Sequence, residues 1–212
     1  MKQPSRPVST KPRQVLGILL LLITLVLQGC ESPRLSTIPP DGTLLAFGDS
    51  LTQGVGVNPP DSYPSVLERL SGRRVINAGV SGEETEDGLP RLRDLLARTT
   101  PDLLLLLEGG NDILRNRDLK ATKRNLAAMI ELAEEQGVEV VLIGVPEKRL
   151  FSTTAPLYKE LAEEYDLVFE DDLVAQLMRQ GAYKSDAIHF NQEGYRLMAE
   201  SLHDLLVEEG AL

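Results

Sequence analysis

The chain has 212 residues, 42% of them hydrophobic, with 22 Lys and Arg against 32 Asp and Glu and a formal charge of −10. That length and apolar content allow one sizeable core and leave too little chain for two ordinary domains. The acidic balance argues against a nucleic-acid partner, which needs a basic surface to meet phosphate.

Four of the basic residues, Lys2, Arg6, Lys11 and Arg13, precede the uncharged apolar run "VLGILLLLITLVL" from Val15 to Leu27, and "QGC" follows it. This is the order of a secretory signal, and the run is shorter than the roughly 20 residues of a membrane-spanning helix. Cys30 is the only cysteine, so no disulfide forms within the chain. "LQGC" resembles a bacterial lipobox, which implies a signal peptide over residues 1–29, a lipidated Cys30 and an exported lipoprotein held at a membrane by its acyl chains. An ordinary signal peptide or a short uncleaved anchor would leave Cys30 without that role. Loss of the leader leaves 18 basic residues against 32 acidic ones, a formal charge of −14. Such a surface is repelled by anionic lipid, so attachment would rest on the acyl chains alone. "ESPRLSTIPPD", Glu31 to Asp41, has three prolines and no periodicity and reads as a tether, which puts the folded domain at residues 43–212.

From Thr43 onward, short apolar runs alternate with longer amphipathic ones, the pattern of strands separated by helices. Strands are expected at Thr43 to Phe47, Arg74 to Ala78, Leu103 to Glu108, Val138 to Val145 and Leu167 to Phe169. "LLLLLE" and "VEVVLIGV" are apolar on both faces, as strands covered by helices on both sides must be. Helices are expected at about Tyr63 to Leu70, Asp87 to Arg98, Asp118 to Gln136, Ala155 to Tyr165, Asp171 to Arg179 and Gln192 to Glu208. In the last, Tyr195, Met198, Leu202, Leu205 and Leu206 share one side and would pack on the sheet. The sum is an α/β three-layer α/β/α sandwich with a mainly parallel five-stranded sheet. Ligands of such sheets gather beyond the carboxyl ends of the strands.

Four loops at those ends carry candidate chemistry. "AFGDSLTQGVG" follows the first strand; it lacks the spacing and lysine of a phosphate-binding loop, the G-x-G-x-x-G of a dinucleotide site and the G-x-S-x-G of a nucleophile elbow. By itself Gly48-Asp49-Ser50 is compatible with a plain turn. "NAGVSGEET", Asn77 to Thr85, has small residues that let backbone amides approach a ligand. "EGGND", Glu108 to Asp112, brings the carboxamide of Asn111 to a strand end, where its N–H groups could face an oxyanion; a turn cap is the plainer alternative. "SDAIHFNQEGY" sets Asp186 and His189 three residues apart before the last helix, with Asn191 as its cap. A general base and the carboxylate that orients it could both come from this pair. The other histidine, His203, sits mid-helix among charged residues and reads as solvated.

Taken in order, "GDSLTQG", "NAGVSGEET", "GGND" and "DAIHFN" resemble the SGNH (GDSL) hydrolase family, in particular its bacterial arylesterase and thioesterase I/lysophospholipase L1-like branch. The likeness runs from Thr43 to the C-terminus. It implies a flavodoxin-like sheet of order 2-1-3-4-5, with Ser50 as nucleophile, His189 as general base and Asp186 as its orienting carboxylate. The oxyanion hole would comprise the Ser50 N–H, the Gly82 N–H and the Asn111 side chain, with no metal or organic cofactor. Val55 stands where many relatives carry an aromatic residue, a departure that touches pocket shape.

The implied activity is hydrolysis of acyl or aryl carboxylic esters, with thioesters and lysophospholipids in range. A carbohydrate O-acetyl esterase or a non-catalytic envelope lipoprotein of the same fold are the alternatives, together with a metal-dependent phosphoesterase using Asp49, Asp186 and His189. Val55, Val57, Ile113, Leu114 and Phe151 are apolar residues near the expected site that could receive an acyl chain.

Overall fold

The computed structural model describes residues 33–148 and 153–212. The leader, Cys30 and Phe151 lie outside the described residues. Five strands form: β1 (Thr43–Gly48), β2 (Arg74–Gly79), β3 (Leu103–Leu107), β4 (Glu139–Ile143) and β5 (Val168–Glu170). They make one sheet of order β2-β1-β3-β4-β5 in which every neighbouring pair is parallel. Leu44 to Phe47 of β1 and all of β3 are buried, because these inner strands are covered on both faces and can hold no polar side. β2 lies at an edge, and its mixed burial follows from that place.

The connections are α1 (Ser50–Gln53), α2 (Tyr63–Ser71), α3 (Thr85–Thr99), α4 (Gly110–Leu114), α5 (Leu119–Glu134), α6 (Pro156–Glu164) and α7 (Leu173–Met178), followed by α8 (Gln192–Glu208). Right-handed crossovers put the β1–β2 connection on one face of the sheet and the later ones on the other. Accordingly α2 packs against α8, and α3 against α5. α8 buries Tyr195, Met198, Leu202 and Leu206 as its spacing requires, while Leu205 is only half-buried. Asn191 caps it by accepting the Gly194 N–H at 3.0 Å.

Several boundaries differ from expectation. β4 stops at Ile143 rather than Val145: the Gly144 N–H makes the last ladder bond, to the Glu170 carbonyl at the end of β5 (2.9 Å), and beyond it the Val145 carbonyl accepts the Ala155 N–H (2.9 Å) outside the sheet. The short helices α1 and α4 were not anticipated, since four or five residues cannot display a 3.6-residue period.

The segment read as a tether is, over its described part, a docked strap. Leu35 and Ile38 are buried, and their N–H groups donate to the Glu209 and Ala211 carbonyls at 3.0 and 2.8 Å. Ser36 donates through N–H and Oγ to Glu139 at the start of β4, and the Arg73 Nε–H, just before β2, donates to the Ile38 carbonyl. Three prolines and a polar composition concealed two apolar anchors that only the C-terminal tail completes. The compact unit therefore starts at Pro33 rather than Thr43. The strap closes the amino ends of the strands, the pole away from Ser50. Ile38→Ala should lower unfolding free energy by about 2 to 4 kcal/mol, as buried Ile truncations do. Urea denaturation checks this, and ester hydrolysis by the folded variant should be unchanged.

Candidate active site

The strand order reverses between β1 and β3, and the loops leaving these two strands supply the centre of the site. After Gly48 the chain turns at Asp49, whose Oδ1 accepts the Leu51 N–H (3.0 Å) and starts α1. Ser50 is the first residue of that helix and is mostly buried. Gly54 ends it in the left-handed region, φ 89°, where a side chain would be strained.

His189 arrives from the loop before α8. Its Nε2 lies 3.0 Å from Ser50 Oγ and its Nδ1 lies 2.7 Å from Asp186 Oδ2. The other oxygen of Asp186 accepts the backbone N–H groups of Ile188 and His189, both at 2.8 Å. Three residues of separation thus fold into a turn in which one carboxylate holds both backbone and ring. The His189 N–H, its ring and the Ile188 N–H all favour the anion, so the Asp186 carboxyl lies well below the usual carboxylate range. The same loop is pinned to the nucleophile loop: Phe190 packs edge-on against Tyr195, and the Tyr195 hydroxyl donates to the Val55 carbonyl at 2.9 Å.

From the β2 loop, Gly82 faces the same cleft with φ 80°. Its carbonyl accepts from Arg115 Nη1 (2.9 Å), and the preceding Ser81 N–H donates to Gln53 Oε1 (2.8 Å). Arg115 and Arg117 both bind Glu84, and these guanidinium bonds, Arg117 first, hold the Glu84 carboxyl below its ordinary range. Asn111 comes from α4, and its Nδ2 donates to Asp49 Oδ2 at 3.2 Å. The neighbouring Asp112 faces the other way, accepting the Thr85 N–H (3.0 Å), the Thr85 hydroxyl (2.7 Å) and the Thr122 hydroxyl (3.1 Å). It ties α3, α4 and α5 together. Neither the Ser50 nor the Gly82 N–H donates to a group of the described residues.

Two further features escaped sequence reasoning. Arg91 of α3 pairs with the mostly buried Glu83, donates to the Ala78 carbonyl (2.9 Å) and the Gly48 carbonyl (3.4 Å), and lies 4.0 Å over the Phe47 ring. It clamps the ends of β1 and β2 together. Asp49 and Glu108 are buried carboxyl groups; burial pushes Asp49 up to about 6 and Glu108 well above its usual range. Glu108 Oε2 has no hydrogen-bond partner among the described residues. An alternation of charged and apolar residues could have marked Arg91 as a helix position, but nothing local names its partners.

The cleft measures about 720 Å³. Ile113, Leu114, Val145, Pro146, Met178 and Ile188 give it apolar walls, with Lys148 and Lys184 among its lining residues. Val55 and Val57 do not line it. Asp49, Asp186 and His189 do not converge as a ligand set: Asp49 faces Leu51 and Asn111, and Asp186 is engaged by His189. Among the described residues no group of three or more His, Cys, Asp or Glu could hold a metal ion.

Residues 46–197, which contain all four loops, match the GDSL-like lipase/acylhydrolase family. The chain belongs to that family. It is 32% identical to an arylesterase of Vibrio mimicus over 201 residues, 90% of this chain and 99% of that protein. It is 28% identical to the thioesterase 1/protease 1/lysophospholipase L1 of Escherichia coli K12, over 74% of this chain and 80% of that protein. Among solved structures, the psychrotrophic esterase EstA of a Pseudoalteromonas species superposes with a TM-score of 0.72 at 21% identity, covering 79% of this chain and 98% of that one. The fold is that of SGNH hydrolases, as in the esterase AlinE4 of that family, 27% identical with a TM-score of 0.64, and the chain is a carboxylic ester hydrolase.

Proposed function

We propose that this GDSL-family member cleaves acyl or aryl carboxylic esters with Ser50 as nucleophile, His189 as general base and Asp186 as its orienting carboxylate. The observation that carries the reading is the unbroken relay from Ser50 Oγ through the His189 ring to Asp186, 3.0 and 2.7 Å long. A serine hydroxyl is a poor nucleophile at neutral pH, so His189 Nε2 takes its proton as Oγ attacks the carbonyl carbon. Asp186, held ionised by its own hydrogen bonds, keeps the Nδ1 proton in place and stabilises the imidazolium that forms. The carbonyl oxygen becomes an oxyanion facing the Ser50 N–H, the Gly82 N–H and Asn111 Nδ2, the first two of which have no competing acceptor among the described residues. His189 returns its proton to the leaving alcohol, and water, activated by the same base, releases the acyl group from Ser50.

The apolar walls suit an acyl chain or an aryl ring. Arylesterase and thioesterase/lysophospholipase relatives support that substrate range, including thioesters and lysophospholipids. We also propose export and attachment to a membrane through Cys30, a reading supported by the leader's sequence and by likeness to a Bacillus subtilis lipoprotein, 28% identical over 59% of this chain. Among the described residues no helix is long and apolar enough to cross a membrane.

The test is a phosphonate ester directed at serine; the Pseudoalteromonas esterase structure is one inhibited by monoethylphosphonate. One equivalent should abolish hydrolysis of p-nitrophenyl butyrate, and peptide mass spectrometry should find the adduct on Ser50. Labelling elsewhere, or full activity after labelling, would overturn the assignment.

A further inference from the structure

Asp49 does more than start a turn. Its carboxylate is buried, and no lysine or arginine forms an ion pair with it among the described residues. Such a charge carries a large desolvation penalty, so an uncharged residue would serve a plain helix cap better. The only side chain among the described residues that donates to Asp49 is Asn111, through Nδ2 at 3.2 Å. An ionised carboxylate can only accept, so it forces the nitrogen end of the Asn111 amide toward itself. A neutral group at this place could equally take the oxygen end, and the amide could then turn over. With the nitrogen end fixed, one N–H is engaged by Asp49 and the second is left for the cleft that Asn111 shares with Ser50 and Gly82.

From this geometry we infer that Asp49 is a positioning residue for the hydrolysis, acting as a polarity lock that keeps Asn111 turned as a donor toward the oxyanion. The same carboxylate starts the nucleophile helix through the Leu51 N–H, so one buried group aligns Ser50 and Asn111 together. Gly110 bears on the lock too: a Cβ there would stand 2.9 Å from Asp49 Oδ2, so only glycine leaves the carboxylate its seat beside Asn111. Burial is the largest influence on the Asp49 proton and opposes the charge, as Glu83 and Asp112 do, whereas the Leu51 N–H favours the anion, and His189 adds to that once it carries the proton taken from Ser50. The inference rests on the reading of Asn111 as an oxyanion donor.

The experiment compares Asp49→Asn, Asn111→Ala and the double variant on p-nitrophenyl butyrate. The carboxamide introduced by Asp49→Asn can still accept the Leu51 N–H, but it offers an NH2 group to Asn111 and so invites that amide to turn its oxygen inward. Asp49→Asn should lower kcat at least about tenfold with KM within about twofold, and should raise Tm, because a buried unpaired charge is gone. In the Asn111→Ala background the same change should alter kcat less than about threefold, since the side chain it positions is absent. Gly110→Ala, which keeps the charge but displaces the carboxylate, should reproduce the kcat loss and serves if Asp49→Asn does not fold. An equal loss in both backgrounds, or a lowered Tm with kcat retained, would reduce Asp49 to a structural cap and overturn the inference. If Asn111→Ala itself leaves kcat intact, the oxyanion reading of Asn111 fails, and the lock fails with it.

Discussion

Ser50→Ala should fold normally and lose ester hydrolysis by about four to six orders of magnitude, as removal of a serine nucleophile does elsewhere. The size of the loss follows from how few groups the relay contains. Among the described residues Oγ makes one hydrogen bond, to His189 Nε2, and no other group stands in its place within the relay. His189 and Asp186 would then hold a proton acceptor with nothing to activate except water. Stability should change by less than about 1 kcal/mol, because the deleted hydroxyl contributes one ordinary hydrogen bond and Ser50 keeps its helical place through its backbone. Matched Tm values with hydrolysis of p-nitrophenyl butyrate reduced to the uncatalysed background would meet the expectation. Retention of more than about a hundredth of wild-type activity in protein free of contaminating esterase would place the nucleophile elsewhere.

Asn111→Ala should be the second largest effect, a fall in kcat of about 100- to 1,000-fold with KM nearly unchanged. The ground-state carbonyl gains little from the Nδ2 donor; the tetrahedral oxyanion gains much, so the loss appears in turnover rather than binding. This variant also removes the only side chain among the described residues that donates to Asp49, leaving a buried carboxylate Oδ2 without that bond. Some stability should go with it, about 1 to 3 kcal/mol. The combination separates Asn111 from Ser50: truncating the nucleophile stops turnover with almost no change in stability, whereas truncating the donor slows turnover and loosens the fold. Stopped-assay kinetics over a range of ester concentrations, with urea denaturation on the same preparations, measure both. A raised KM at normal kcat would contradict the oxyanion role.

Much of this protein is legible along the chain. Strands buried on both faces must be continuous apolar runs, so "LLLLLE" and "VEVVLIGV" announce inner strands of a parallel sheet without further help. Helices of nine residues or more show their period, as the Tyr195, Met198, Leu202 and Leu206 spacing of α8 does. The residues that the structure gathers at one cleft, Ser50, Gly82, Asn111 and His189, stand in short segments with local signatures that follow strands or precede α8, and Asp186 lies close enough to His189 for a single turn to join them.

What lay outside that reading shares one cause: its partners are distant in sequence. Leu35 and Ile38 look like part of a proline-rich tail until the carbonyls of Glu209 and Ala211 meet them. Arg91 is one more charge on an amphipathic helix until Glu83, the Phe47 ring and the ends of two strands surround it. Asp49 in "GDS" reads as a turn former, and its bond to Asn111 spans 62 residues. Local pattern sets which segments are strand, helix or loop, because backbone hydrogen bonding and burial have short periods. Which loops face one another, which carboxylate stays buried and which donor it aims are decided only when the β1/β3 switch point brings those loops together, because a contact between distant residues leaves no period in the sequence.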